Sequence, residues 1–231
     1  MAGMSPQTRT AANQLGRDVS AFLPDRDSLR GLPELDEVQQ RIWDLAAPHL
    51  RVRGNDRHSL YAFGIAAALL EFHPEADADV VLPAILLHDV GWSRVPEDEV
   101  LEAIAPGGGR ADLVLLHERE GARLAGEILA EVGHPGERTA RILEIIDGHD
   151  SRKESLSIED SIVKDADKTW RVTPSGLDTI MGWFGLERPA ALRLAASRVH
   201  GHLFTEEARA LAMGLTALES LAGSAPVRAL G

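Results

Sequence analysis

From Pro33 onward, apolar positions recur at three- and four-residue steps, the period of a helix that buries one face. Leu35, Val38, Ile42 and Leu45 open the pattern. A second stripe, Ala62, Ile65, Ala66 and Leu69, predicts a helix over about 57–72, with Asn55 or Asp56 as its cap. His73-Pro74 should end it, because a residue before proline resists the α conformation. Val80, Val81, Leu82, Ile85, Leu86 and Leu87 make the stretch 77–90 apolar nearly all round, which predicts a deeply buried helix stopped by Gly91. Further helices are expected over about 112–132, 136–148 and 157–170. After the break at Pro174-Ser175-Gly176, two or three amphipathic helices should run to about Ala222. Pro106–Gly109 reads as a flexible connector. No stretch alternates with period two, and no internal repeat is visible.

These segments imply an all-α protein. The expected layout is a weakly periodic arm over 1–30, a helical core over 31–172, and a C-terminal helical extension of the same domain over 173–231, with a frayed tail. A chain of 231 residues suits one sizeable core. Aromatic residues make up only 4%, so that core must rest on Leu, Ile, Val and Ala, which suit helix-on-helix packing.

Charge and composition narrow the function classes. The formal net charge of −12 repels polyphosphate backbones, which argues against bulk nucleic acid as a partner. It leaves room for a small phosphorylated substrate, because a bound metal reverses the local field. There is no cysteine, hence no disulfide, thiolate metal site or cysteine nucleophile. The N-terminal stretch lacks an apolar signal core, and the longest apolar run, Val80–Leu87, is too short to span a bilayer. A cytoplasmic protein with no membrane partner is expected, and a homodimer is compatible with the sequence.

The candidate chemistry lies in histidines and aspartates aligned with apolar stripes. His58 is in register with Ala62, Ile65 and Leu69, and His117 with Gly121, Leu124 and Ile128. His88 and Asp89 end the most apolar helix. His149 follows Ile142, Ile145 and Ile146, while Asp167 shares a face with Leu156, Val163 and Trp170. Burying so many polar groups in one core is costly unless they satisfy one another or a cation. Imidazole and carboxylate are the donors that a hard or borderline metal takes. His49, His73, His134, His200 and His202 are read as loop or surface residues. Arg57, Arg152, Lys153, Lys164, Lys168 and Arg171 cluster beside the proposed ligands as candidate phosphate anchors. For Lys153 and Lys164 a solvated helix face is the simpler reading; Lys168 and Arg171, within a turn of Asp167, are the better candidates.

The stretch AILLHDVGW resembles the signature of the HD superfamily of metal-dependent phosphohydrolases. That family carries a His on one helix, a His-Asp pair on a later one, and a distal Asp; His58, His88-Asp89 and Asp167 follow this order. The segment IVKDADKTWR resembles the family's distal element and selects Asp167 over Asp165, a choice that periodicity leaves open. HEREGARLAGEILAEVG, with His117, and ILEIIDGHDS, with His149, are similar to two further segments of the superfamily. The resemblance covers residues 50 to 172 and implies an all-α HD-type domain. It implies one or two divalent metal ions per chain, drawn from Mn, Fe, Co, Ni, Zn or Mg. His58, His88, Asp89 and Asp167 would hold the first, and His117 and His149 would join Asp89 on the second. The implied activity is hydrolysis of a small phosphorylated metabolite or nucleotide by metal-activated water. Catalytic roles then fall to Asp89, Lys168 and Arg171, and to Asp150 as a general acid or as a partner orienting a ligand imidazole. Two alternatives share the ligand set: a di-iron oxygenase of the same superfamily, and a non-catalytic, metal-stabilised regulatory protein.

Overall fold

The computed structural model describes residue 16 and residues 18–107, 109–222 and 224, and every regular element among them is helical. Residues 1–32 form one unit. Its described part holds two 3-10 turns, Ser20–Phe22 and Arg26–Ser28, and the Arg26 guanidinium donates to the Leu32 carbonyl at 3.1 Å. The rest of the expected N-terminal arm, residues 1–15 and 17, and most of the expected frayed tail lie outside the described residues.

Residues 33–231 form the second unit. Helix α1, Glu37–Leu50, begins later than the apolar stripe suggested, because Asp36 and Gln39 form a capping box. The Asp36 carboxylate accepts from the Gln39 N–H at 2.8 Å, and the Gln39 side chain accepts from the Asp36 N–H at 3.1 Å. Such a cap contributes about 1 kcal/mol and leaves Leu35 outside the helix. Helix α2, Asn55–Leu70, corrects the expected cap. Neither Asn55 nor Asp56 caps it: both lie in its first turn, and the N-cap is Gly54 at φ 75°. The preceding 3-10 turn, Val52–Gly54, holds Arg53 at φ 57°, a left-handed conformation that costs a residue with a Cβ about 1–2 kcal/mol.

Helix α3, Ala78–Leu87, is capped by the Asp77 carboxylate. It ends before Gly91, which is not a helix stop but lies inside a 3-10 helix, Val90–Arg94. The glycine is needed for a different reason. A Cβ on Gly91 would fall 1.9 Å from the His117 carbonyl oxygen and 2.5 Å from the Gly121 nitrogen, so two backbones touch there. The apolar pattern also passes over α4, Val100–Ile104, a single short turn of helix. Then follow α5 (Ala111–Glu131), α6 (Gly136–Ile146), α7 (Ile158–Trp170), α8 (Pro174–Phe184), α9 (Arg188–Val199) and α10 (Glu206–Ala222).

Helix α3 sits at the centre, packed against α1, α2, α6 and α7. Helix α5 lies against the 90–94 turn and α6, while α10 packs on α9 and α7. One buried cluster runs from Ile42 through Ile85, Leu129 and Ile162 to Leu177, Ala195 and Ala212, so the C-terminal helices share the core. Asp165, buried on α7, accepts from the Phe204 N–H, the Thr205 N–H and the Thr205 hydroxyl, each at 2.8 Å. That carboxylate pins the start of α10 to the helix that carries Asp167.

Candidate metal centre

Five elements deliver polar side chains to one point inside the apolar core. His58 comes from the first turn of α2, His88 from the C-cap of α3, and Asp89 from the residue after it. His117 comes from mid-α5, His149 and Asp150 from the turn after α6, and Asp167 from α7. His88, His117 and His149 are at most 1% exposed, and His58, Asp89 and Asp167 are 5% exposed.

Asp89 faces both ways. Its Oδ2 lies 3.5 Å from His58 Nε2 and 3.6 Å from His88 Nε2. Its Oδ1 lies 3.9 Å from His117 Nε2 and 3.7 Å from His149 Nε2. Asp167 Oδ1 closes the first half at 3.3 Å from His58 and 3.9 Å from His88. Asp150 Oδ2 closes the second, 3.7 Å from His117 and 3.8 Å from His149. The structure therefore brings all six residues predicted as ligands together, and adds Asp150 at the same range. Asp150, read from the sequence as a general acid or as a partner behind a ligand, thus has its carboxylate within 4 Å of both imidazoles of the second half.

The donor atoms suit a cation. His88 Nδ1 donates to the Ile85 carbonyl at 2.8 Å and His149 Nδ1 to the Ile146 carbonyl at 2.9 Å. Each bond leaves an Nε2 turned to the centre, the arrangement of a metal-ligating imidazole. His58 Nε2 lies only 3.0 Å from His88 Nε2, and His117 Nε2 lies 3.4 Å from His149 Nε2. Three sets, His58/His88/Asp167, His88/Asp89/His149 and His117/His149/Asp150, each keep one ligand atom per residue within 4.8 Å of the others. Electrostatics agree. Burial alone would raise the Asp89 carboxyl, but His88 and His149 outweigh it and hold Asp89 well below the carboxylate range. Burial lowers His117 to about 4, with the nearby His149 adding to it. Burial also opposes charge on His149, yet Asp150 and Asp89 raise it to about 10. The carboxylates that hold a proton there are placed to hold a metal cation instead.

The surroundings include groups that the sequence did not single out. The Trp92 ring stacks on His117 at 3.9 Å, and its Nε1 donates to Asp89 Oδ1 at 3.0 Å. Glu118 Oε1 accepts the N–H groups of Asp150 and Ser151 at 2.9 and 2.8 Å, fixing the turn that carries His149. A helical stripe of Glu118, Gly121, Ala122 and Ala125 was the available sign that Glu118 faces inward.

Beside this centre opens a cavity of about 490 Å³. His58, Asp89, Asp150 and Asp167 form its floor, and Arg53, Lys168, Arg171 and Arg198 line it. Arg171 lies 3.3 Å from Asp167 and 4.0 Å from Asp150. Arg53 was missed: its guanidinium lies between the Trp92 and Trp183 rings, 4.6 and 5.0 Å from their centroids. Only tertiary packing brings those rings together, so no local pattern marked it.

Several expected basic residues lie elsewhere. Arg57 is exposed and lines a separate cavity, because it is one helical step away from the inward His58. Arg152 donates to the Asp147 and Glu144 carbonyls and pairs with Asp160. Lys153 is exposed, but in a loop and not on a helix. Lys164 is not on a solvated face: it is 1% exposed and its Nζ donates to the Arg152 and Glu154 carbonyls and to Asp160. Among the other histidines, His49 is half-buried on α1 and not in a loop, and exposed His202 lies at the cavity rim.

Residues 55–171, half of the chain, match the HD domain family. The chain is also similar to an A-adding tRNA nucleotidyltransferase of Deinococcus radiodurans, 28% identical over 170 residues. That similarity covers 63% of this chain and 37% of the relative, so the chain spans little more than a third of its length. No solved structure matches.

Proposed function

The chain belongs to the HD domain family, and from that premise we propose that it is a metal-dependent phosphohydrolase of a small phosphorylated molecule. One observation carries the reading. Four basic side chains, Arg53, Lys168, Arg171 and Arg198, line the cavity beside the candidate ligands His58, Asp89, Asp150 and Asp167. All four carry hydrogen-bond donors and positive charge. Such a lining favours an anionic ligand rich in acceptors, and a phosphoryl group is such a ligand.

In this reading His58, His88, Asp89 and Asp167 would hold one divalent ion, and His117, His149 and Asp150, with Asp89, would hold a second. A bound divalent ion supplies Lewis acidity toward a phosphoryl oxygen and toward the attacking water. The chain's own residues do the rest. Arg53, Lys168 and Arg171 donate to the phosphoryl oxygens and balance their charge. Asp150 resists protonation: burial pushes its carboxyl up, but His149 and Arg171 outweigh that and hold it down. At neutral pH it is therefore an acceptor, placed to take a proton from the water and not to give one to the leaving group. The tRNA-directed activity in the relative's name does not suit a chain of net charge −12, and bulk nucleic acid is not a proposed partner.

The test is phosphate release from a panel of phosphomonoesters with added Mn²⁺ or Co²⁺ under anaerobic conditions. Activity should disappear on chelation. Arg53→Ala should lower kcat/KM by about tenfold or more while metal content stays unchanged. Failure with every metal, together with O₂ consumption by the iron-loaded protein and an organic substrate, would replace hydrolysis with the oxygenase chemistry.

A further inference from the structure

The cavity has two unlike sides. The candidate ligands of the floor, with Lys168 and Arg171, come from the segment matched to the family, while Arg53 and Arg198 lie outside it. Much of the apolar wall comes from α8 and α9, beyond that segment, with α4 contributing to it. Its residues are Ile104, Ile180, Trp183, Phe184, Leu194 and Ala195.

Two polar side chains on this wall are already engaged in the fold. The Ser197 hydroxyl donates to the Leu194 carbonyl at 2.8 Å. One Arg198 nitrogen donates to the Ile104 carbonyl at 3.0 Å, tying α9 to α4. His202 stands at the exposed rim. A sugar or polyol held against this wall would lose water from its hydroxyls and regain few hydrogen bonds, which is unfavourable. An apolar group would gain by leaving water.

Resting on the phosphohydrolase reading, we propose that the substrate is a phosphomonoester of an apolar, ring-sized alcohol. Its phosphate lies at the charged floor and its alcohol carbon skeleton lies against the wall of α8 and α9. The wall sets selectivity, and the floor sets the chemistry. Water attacks phosphorus, the P–O bond to the alcohol breaks, and the alcohol leaves with a proton.

The experiment compares ethyl phosphate with 2-cyclohexylethyl phosphate on the full-length, Mn²⁺-loaded protein. Both have primary alkoxide leaving groups, so intrinsic reactivity is matched. One methylene moved out of water is worth about fourfold in affinity. Six added carbons, partly buried, should then raise kcat/KM by about 30-fold or more. Phe184→Ser and Leu194→Ser should each shrink that ratio. A binding measurement stands apart from turnover and from the variants. Trp92, Trp170 and Trp183 line the cavity, so their fluorescence should report the matching phosphonates, with 2-cyclohexylethylphosphonate binding far more tightly than ethylphosphonate. Equal kcat/KM and equal phosphonate affinity across the pair would overturn the proposal and leave the hydrolase reading standing. Graded phosphonate affinity without hydrolysis of any phosphomonoester would overturn the hydrolase reading and leave the apolar selectivity of the wall.

Discussion

Helix α7 takes part in two buried clusters of charge, and they are built on opposite plans. Toward its N-terminal end, Asp160 Oδ2 accepts from the Leu156 N–H at 2.9 Å and pairs with Lys164 at 3.2 Å and Arg152 at 3.4 Å. The chain supplies its own cations there. Toward the C-terminal end, Asp167 joins Asp89 and Asp150 among four imidazoles, with Arg171 only at the edge. Carboxylates are concentrated where the chain supplies few counter-charges, and ring nitrogens turn toward each other. The first cluster balances its charge as folded, although Asp160 Oδ1 and Arg152 Nε keep no hydrogen-bond partner, and it reads as structure. The second becomes complete only with a cation, and reads as a site. Burial alone does not separate the two, since Lys164 is as inaccessible as His88; charge balance does.

That contrast can be broken by mutation. The largest effect is expected at Asp89, shared by both halves of the site. Asp89→Ala should lose bound metal by elemental analysis and lower the proposed phosphohydrolase activity by about a thousandfold or more. Retention of wild-type metal content would end its assignment as a shared ligand. Next comes the self-sufficient cluster. Lys164→Met strands the Asp160 carboxylate and should cost about 3–5 kcal/mol in denaturant unfolding, with metal content unchanged. Adding Asp160→Leu should recover most of that loss; a double variant no better than the single one would remove the claim of mutual compensation. The smallest effect concerns stoichiometry. His117→Ala with His149→Ala should take a fully loaded protein from about two metals per chain to about one. A wild-type count that never passes one under metal excess would reduce the site to its first half.

How far the sequence spoke depended on whether a residue's neighbours were local. His58, His117 and Asp167 share helical stripes with apolar residues, so periodicity turned them inward. The family's motif order then chose Asp167 over Asp165. The structure gives Asp165 a separate task as the acceptor for Phe204 and Thr205. Gly91 looked like a stop signal because a glycine after an apolar run commonly ends a helix. Its actual constraint, contact with the backbone of α5, lies 26 or more residues away in sequence. Lys164 was misread because a lysine usually marks a wet face; Asp160 lies one turn before it on the same helix, but its two carbonyl partners sit in the loop 152–154, where no periodicity operates. Arg53, Trp183 and Arg198 come from three separated segments and meet only in the folded chain.

The family match ends at Arg171, yet Asp165 makes that a poor place to cut. Its carboxylate lies inside the matched segment, while its three donors come from Phe204 and Thr205, beyond it. A swap of α8–α10 between relatives would have to carry both ends of this clasp, or leave a buried carboxylate unanswered two residues from Asp167. The smallest exchangeable piece of this protein is therefore not the family segment but that segment together with its C-terminal helices, up to and including Phe204 and Thr205.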